Sequence, residues 1–98
     1  MYATMRKYRG MRSVAEAAKR AEKDLAPVLK KLSGFQGYYI MDCGDGVVVS
    51  VSVFDTRESA LASNEKAAAF VKSKLADLVG DAKPEISAGE VRVSVSAR

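Results

Sequence analysis

Hydrophobic and polar positions along this 98-residue chain follow two different periods, and each period predicts one type of element. The stretch from Phe35 to Phe54, FQGYYIMDCGDGVVVSVSVF, consists of two apolar, β-rich runs on either side of the segment Cys43 to Gly46. An Asp-Gly pair between two such runs is a strong hairpin signal. The centre of the chain is therefore predicted to be a β-hairpin.

A helical pattern precedes the hairpin. Ser13 and Glu16 have the spacing of a capping box at its start. Pro27 is predicted to kink this helix or to split off its last turn, because proline has no backbone amide to donate, and Gly34 is the expected stop. The apolar positions at helical spacing are Val14, Ala17, Ala18, Ala21, Leu25, Val28, Leu29 and Leu32.

A second helical pattern follows the hairpin. It is expected to open at Asp55 or Thr56, with Glu58 three positions after Asp55 in a second capping box, and to end at Gly80. Its apolar stripe comprises Leu61, Asn64, Ala68, Val71, Leu75 and Leu78. A final strand is predicted after Pro84, with Val91, Val93 and Val95 on one face and Glu90, Arg92, Ser94 and Ser96 on the other.

An opening strand, Tyr2 to Arg9, completes the order βαββαβ. Two right-handed βαβ units interleave to give a four-stranded antiparallel sheet with two helices on one face. The sequence thus predicts an α+β, ferredoxin-like fold. A chain of this length supports one core, so residues 1–98 are expected to form one domain.

The hairpin is apolar on both of its faces, which predicts pairing between two copies of the chain. A two-residue loop places Tyr38, Ile40 and Asp42 with Val47, Val49, Val51 and Val53. It places Phe35, Tyr39 and Met41 with Val48, Ser50, Ser52 and Phe54. A three-residue loop would reverse this assignment. Because two helices cover only one face of the sheet, we expect a homodimer with the valine face inside, or a loop packed on that face.

Composition narrows the range of possible chemistry. The chain has no histidine and one cysteine, Cys43, so the sequence predicts neither a disulfide within the chain nor a histidine metal site. The net charge is +4, with a basic cluster near the start (Arg6, Lys7, Arg9 and Arg12). This cluster is interpreted as a solvated or pocket-lining strand rather than a nucleic-acid surface. No apolar run reaches the ~20 residues of a membrane span, and no signal-peptide core is present, so a cytoplasmic location is expected.

With this pattern the chain resembles the dimeric α+β barrel superfamily, and most closely the small antibiotic-biosynthesis-monooxygenase-like domains. The resemblance lies in the opening strand MYATMRKY, the Gly34-Phe35 junction, the tyrosine-rich second strand and SVSVFDTRESA before the second helix. It implies a pocket between the helices and the sheet. Cofactor-free members oxidise phenolic polycyclic substrates with O2, and haem-degrading members use a histidine, a tryptophan and an asparagine. The tryptophan position corresponds here to Phe54, the histidine position lies on or beside Asn64, and the first strand has no asparagine.

Asn64 is the candidate at which the resemblance and the helical pattern agree. It is the one polar residue in the second apolar stripe, so its amide either bonds a neighbouring group or lines a pocket. The candidate catalytic residues are Asn64 and Tyr39, and the candidate ligand-binding residues are Ser50, Ser52, Phe54 and Asn64. Arg6 and Arg92 are candidate cations for an anionic intermediate, on strands whose facing the pattern leaves open.

Two functions remain open on the sequence. The first is a dimer that binds a small aromatic molecule between helices and sheet. The second is a cofactor-independent monooxygenase in which a phenol or enol loses a proton and the resulting anion reduces O2. No metal and no cofactor is expected in either case.

Overall fold

The computed structural model of the protein describes residues 1–80 and 83–97, and this part of the chain contains four strands and three helices. In chain order these are β1 (Tyr2–Tyr8), α1 (Val14–Asp24), α2 (Ala26–Lys30), β2 (Phe35–Gly44), β3 (Val47–Phe54), α3 (Arg57–Lys74) and β4 (Glu85–Glu90). The strands form one antiparallel sheet in the order β2-β3-β1-β4. The ferredoxin-like α+β fold is thereby confirmed.

Side chains cap both of the long helices at their starts. Ser13 accepts a hydrogen bond from the Glu16 amide at 3.2 Å, as predicted. Thr56 accepts one from the Ser59 amide at 3.2 Å. Each bond satisfies an amide that has no partner within the first turn. The capping box expected at Asp55 is wrong, because the threonine occupies the N-cap position.

The helical regions end or break where the backbone requires it. Pro27 lies in the first turn of α2 and separates this short helix from α1, in agreement with the predicted split. α3 ends at Lys74 and not at Gly80, because Leu75 has left helical geometry (φ −120°, ψ 12°). Leu75 and Leu78 still fill the core from the turn that follows.

The β2–β3 hairpin has the predicted two-residue loop. Gly44 lies opposite Val47, and Asp45 and Gly46 have φ values of 54° and 75°, which are the positive angles of a type I′ turn. The Gly46 carbonyl accepts a hydrogen bond from the Met11 amide at 2.9 Å. A Cβ at Gly46 would lie 3.0 Å from the Met11 carbonyl oxygen, so this tether requires glycine.

A bulge next to this loop changes which residues share a face. Cys43 is an extra residue on β2, and it shifts the register so that Asp42 lies opposite Val48. The predicted face assignment is therefore wrong, since a shift of one residue exchanges the two faces. In the observed register, Tyr38 and Ile40 lie opposite Ser52 and Ser50, while Tyr39 and Met41 lie opposite Val51 and Val49.

The two faces of the sheet differ in what covers them. The helices cover a face that carries Tyr2, Thr4, Arg6, Tyr8, Tyr38, Ile40, Val48, Ser50, Ser52 and Phe54. The open face carries Ala3, Met5, Lys7, Tyr39, Met41, Val49, Val51 and Val53. On the open face Tyr39 is 62% exposed and Met41 is 49% exposed. Val49, Val51 and Val53 lie on this open face and belong to the predicted valine face. Their neighbours on β2 are Tyr39 and Met41, where Tyr38 and Ile40 were predicted.

The final strand lies earlier in the chain than predicted. β4 pairs with β1 up to Glu90, which is opposite Tyr2. The Val91 amide still donates to the Met1 carbonyl at 2.9 Å, but the strand predicted around Val91, Val93 and Val95 does not form among the described residues. Val93 and Val95 are largely exposed.

Candidate functional site

A charged side chain lies in the interior, between the sheet and the helices. Arg6 projects from the central strand β1 and is only 1% exposed. Its Nε donates to Ser50 Oγ at 3.1 Å, and its Nη2 donates to Ser52 Oγ at 3.0 Å. Its Nη1 donates to Asn64 Oδ1 at 2.7 Å. The guanidinium therefore joins β1, β3 and α3.

This guanidinium has only neutral partners. Among residues 1–80 and 83–97 no carboxylate forms an ion pair with Arg6. Burial lowers the pKa of Arg6 from its ordinary value, yet a guanidinium remains protonated in proteins. Removing such a charge from water costs several kcal/mol, which hydrogen bonds to neutral groups offset only in part. The interior thus holds a positive charge without a counter-ion in the described part of the chain.

Asn64 orients the guanidinium. Its Oδ1 accepts from Arg6 and also from Thr4 Oγ1, which lies 2.9 Å away and is itself buried. Two donors converging on one oxygen define which way the side-chain amide is turned. The polar residue in the apolar stripe of α3 is therefore explained by a bond between helix and sheet.

Two tyrosines complete the polar surroundings of Arg6. Burial raises the pKa of Tyr38 to about 12, although the positive charge of Arg6 opposes the rise. Burial also raises the pKa of Tyr8, again against the charge of Arg6. Both phenols are neutral near pH 7, so each keeps a hydroxyl that can donate a hydrogen bond.

A cavity of about 40 Å³ lies beside the guanidinium. Arg6, Tyr38 and Ser50 form part of its wall, and most of the remaining wall is apolar, including Ala21 and Ala67 from α1 and α3. A water molecule needs roughly 10–15 Å³ of such space, so the cavity accommodates a group of a few heavy atoms.

A larger groove of about 620 Å³ opens on the outside, between α1–α2 and the edge strand β2. Its lining includes Pro27 and Tyr39. Ala18, Tyr38 and Ile40 line both the groove and the inner cavity. These three side chains therefore form the wall between the two spaces.

The structure brings three of the predicted site residues together. Asn64, Ser50 and Ser52 each accept a hydrogen bond from Arg6, and Ser50 also lines the inner cavity. Asn64 and Ser52 contact the guanidinium without belonging to the described cavity wall. Their geometry is that of residues that hold Arg6 in position.

Two other predicted residues lie elsewhere. Phe54 is fully buried and packs edge-on against Phe35, with ring centroids 5.7 Å apart. Tyr39 lies on the open face and not with the other site residues, because of the bulge at Cys43. Arg92, the second candidate cation, is exposed and forms an ion pair with Glu90 at 3.0 Å.

The central role of Arg6 in the cluster is the main feature that the sequence left open. A signal was present: the period of two in the first strand places Thr4, Arg6 and Tyr8 on one face. The serines of β3 supply matching acceptors, but only the observed register shows that they face Arg6. Tyr38 was missed for the same reason.

Three further features of the described residues bear on function: the free cysteine, possible metal sites and possible membrane spans. Cys43 is free and exposed. In residues 1–80 and 83–97 no group of three or more histidine, cysteine, aspartate or glutamate side chains is placed to hold a metal ion. Across those same ranges no helix has both the length and the apolar character of a membrane span.

No family model matches this chain, and no curated protein sequence matches it. Solved structures do match. The NE2512 protein of unknown function from Nitrosomonas europaea is 19% identical with a TM-score of 0.74, covering 99% of this chain and 94% of that one. The monooxygenase from gene ActVA-Orf6 of Streptomyces coelicolor, in complex with nanaomycin D, is 14% identical with a TM-score of 0.69 (99% and 92%). MhuD, with two manganese protoporphyrin IX molecules per active site, is 16% identical with a TM-score of 0.70 (99% and 100%).

The TM-scores establish a shared fold, and at identities this low the likeness shows the fold alone. The predicted resemblance to antibiotic-biosynthesis-monooxygenase-like α+β barrels is confirmed at that level. A further match is SnoaB, a cofactor-independent oxygenase from Streptomyces nogalater, at 17% identity and a TM-score of 0.67, covering 96% of this chain and 95% of that one.

Proposed function

We propose that the protein binds a small aromatic molecule between the helices and the sheet, beside Arg6. The observation that carries this proposal is the buried, hydrogen-bonded guanidinium on the wall of a largely apolar cavity. An apolar cavity with a few convergent polar groups is the usual form of a small-molecule site. A structural role would not require a charge there, because an apolar side chain of similar volume avoids the desolvation cost.

The ligand has to enlarge the cavity as it binds. The space of about 40 Å³ beside Arg6 is smaller than an aromatic ring system. Movement of Tyr38, which separates this space from the outer groove, joins the two volumes. A structure with the same fold supports such a site, since the ActVA-Orf6 monooxygenase was crystallised in complex with the ligand nanaomycin D.

Cofactor-independent oxidation of a phenol is the second candidate function. It is favoured by a cation and a neutral phenol, Arg6 and Tyr38, at the same cavity, and by the fold shared with the oxygenase SnoaB. The Arg6 charge would stabilise a bound phenolate and so favour release of its proton to water. In the net reaction a phenol with a free ring C–H and one O2 give a quinone and one water, so O2 is reduced while the ring is oxidised. Arg6 takes the role of donor to the oxyanion, and Asn64 positions it.

The porphyrin bound by MhuD does not suit this chain. The sequence has no histidine to serve as an axial ligand, and the cavity beside Arg6 is far smaller than a porphyrin. The proposed chemistry therefore contains no step through haem.

We also propose that a second copy of the chain covers the open face of the sheet. Val51, Val53 and Met5 are only partly buried there, and Met41 and Tyr39 are exposed. Apolar side chains spread over one face of a sheet are typical of a protein interface. The dimer predicted from the sequence would bury them.

Calorimetric titration with 2-naphthol and O2 uptake with 1,4-dihydroxynaphthalene test the two functions. Saturable binding is expected, and oxidation is expected to exceed the rate without protein if the second function holds. Asn64→Ala should weaken both, and it should also shift the NMR signal of the Arg6 Nε–H group, which a purely structural loss elsewhere would leave in place. Glu65→Ala, at the exposed position next to Asn64 on α3, is the matched control.

Absence of naphthol binding to a folded protein would contradict the binding proposal. O2 uptake that is no faster than the protein-free rate would contradict only the second candidate. Uptake that is unchanged in Asn64→Ala would show that the Arg6 cluster is not the site.

A further inference from the structure

The inner cavity and the outer groove differ in size, and together they describe the shape of a ligand. The cavity at Arg6 has about 40 Å³, enough for a carboxylate or a phenolate oxygen with its neighbouring atoms. The groove has about 620 Å³, enough for one or two aromatic rings. A small head in the cavity and a flat, apolar body in the groove would fill both.

The cavity offers its head group the positive charge of Arg6. A guanidinium carries five N–H groups, and Ser50, Ser52 and Asn64 account for three of them. Tyr38 is also hydrogen-bonded to the guanidinium, so a carboxylate would take the N–H groups that Tyr38 leaves when it moves. Across the described residues no carboxylate of the protein competes for them.

The groove offers an aromatic body mostly apolar contacts. Phe35, Tyr38 and Tyr39 come from β2, and Pro27 comes from α2. The charges in its lining, Glu22 and Lys30, are of opposite sign. The net attraction for an anion is therefore concentrated at Arg6, at the inner end.

We infer that the ligand is a small aromatic acid whose oxyanion binds Arg6 in the inner cavity while its ring lies in the groove against β2. This inference rests on the proposed function and adds the charge and the orientation of the ligand. A neutral ligand would leave the buried cation without a counter-charge, whereas an anion removes the largest electrostatic cost in the interior. Tyr38, which is hydrogen-bonded to Arg6, moves aside to connect the two spaces.

Three probes of nearly equal shape test the inference by calorimetric titration at pH 7: 2-naphthoate, 2-naphthamide and 2-naphthol. We expect 2-naphthoate to bind at least ten times more tightly than 2-naphthamide, which has the same ring and no charge. The absorption spectrum of bound 2-naphthol distinguishes a ring oxyanion, since the naphtholate absorbs at longer wavelength than the neutral naphthol.

Two variants remove the positive charge, or neutralise it, without removing the groove. Arg6→Gln takes away the cation. Arg9→Gln is its control, because it changes the net charge by the same amount at an exposed position just after β1. Asn64→Asp keeps the acceptor oxygen and supplies an internal counter-charge, so it remains informative if Arg6→Gln does not fold. Both site variants should lose the preference for 2-naphthoate over 2-naphthamide, while Arg9→Gln should keep it.

The outcomes separate this inference from the proposal on which it rests. Equal affinity of the wild-type protein for 2-naphthoate and 2-naphthamide would overturn the inference and leave aromatic binding in place. A preference for 2-naphthoate that persists in Asn64→Asp and in folded Arg6→Gln would move the anion site away from Arg6 and overturn it as well. If none of the three probes binds, both proposals fail.

Discussion

Replacing Asn64 by alanine is the sharpest test of how the buried charge is held. The substitution deletes one oxygen that accepts two hydrogen bonds, from Arg6 Nη1 at 2.7 Å and from Thr4 Oγ1 at 2.9 Å. Arg6 and Thr4 are each 1% exposed, so solvent reaches them poorly once this acceptor is gone. We therefore expect a loss of stability that exceeds that of an ordinary surface substitution.

The magnitude follows from the two bonds. A hydrogen bond to a charged group contributes about 1.5–3 kcal/mol, and one between neutral groups contributes about 0.5–1.5 kcal/mol. Thr4 keeps a longer contact of 3.4 Å to the Ser87 carbonyl, and Asn64 is only partly buried, so water replaces some of the loss. We expect Asn64→Ala to lower the free energy of unfolding by about 2 kcal/mol, and Tm by about 8–16 °C for a domain of this size.

The assay is urea and thermal unfolding followed by circular dichroism, at one protein concentration because a dimer would make Tm depend on it. The matched variant is Asn64→Asp, which keeps the acceptor oxygen and places a carboxylate beside Arg6. This neighbour lowers the folded-state pKa of Asp below its unfolded value of about 3.9. The added stability is therefore fully present above about pH 4 and is lost as the pH falls through the folded-state pKa.

Two results would refute this reasoning. One is an Asn64→Ala protein within about 0.5 kcal/mol of the wild type, the range of an ordinary surface change. The other is an Asn64→Asp protein that is as unstable at pH 7 as Asn64→Ala, since the acceptor oxygen would then not be what matters.

Three further predictions concern the backbone, the core tyrosine and the open face. Gly34→Ala should lower the free energy of unfolding by more than about 1 kcal/mol in chemical denaturation, because Gly34 has φ +73° and an added Cβ would lie 2.8 Å from Asp55 Cβ. Gly80→Ala is the control: its added Cβ meets no atom within 4 Å, so its stability should be unchanged. The pKa of Tyr38 is raised to about 12, so the folded state holds more protons than the unfolded state between about pH 10 and 12. The free energy of unfolding therefore falls as the pH rises through that window. Unfolding curves of Tyr38→Phe should show a smaller loss of stability over the same range. Val51→Lys, on the open face, should convert a dimer to a monomer in native mass spectrometry, and an unchanged dimer would place the interface elsewhere.

The local structural features of the chain could be predicted from the sequence. Ser13 caps its helix, Pro27 divides the first helical region, and the Asp45-Gly46 pair forms a two-residue loop, because each depends on the backbone chemistry of a few neighbouring residues. The order of elements, and with it the fold class, followed from two hydrophobic periods. These features involve no contact between distant segments.

The details of the site were not readable in the same way. A one-residue bulge at Cys43 decides that Tyr38, and not Tyr39, faces the helices, and no pattern in the two apolar runs announces that extra residue. The burial of Arg6 depends on partners 44 to 58 positions away in the chain. The sequence left open whether the basic strand is solvated or lines a pocket, and the register of β1 against β3 shows that Arg6 faces the interior.

A cation at the centre of the sheet also constrains the order in which the elements assemble. The guanidinium of Arg6 gains by leaving water only after its acceptors on β3 and on α3 have both arrived. The β2–β3 hairpin closes through a two-residue loop and can form early, whereas docking of α3 dehydrates the charge and is expected to come late. Changes at Asn64 should then accelerate unfolding and leave the folding rate nearly unchanged, which stopped-flow measurements of the two rates can determine. Folding of Asn64→Ala that slows in proportion to its lost stability would instead place this contact in the folding nucleus.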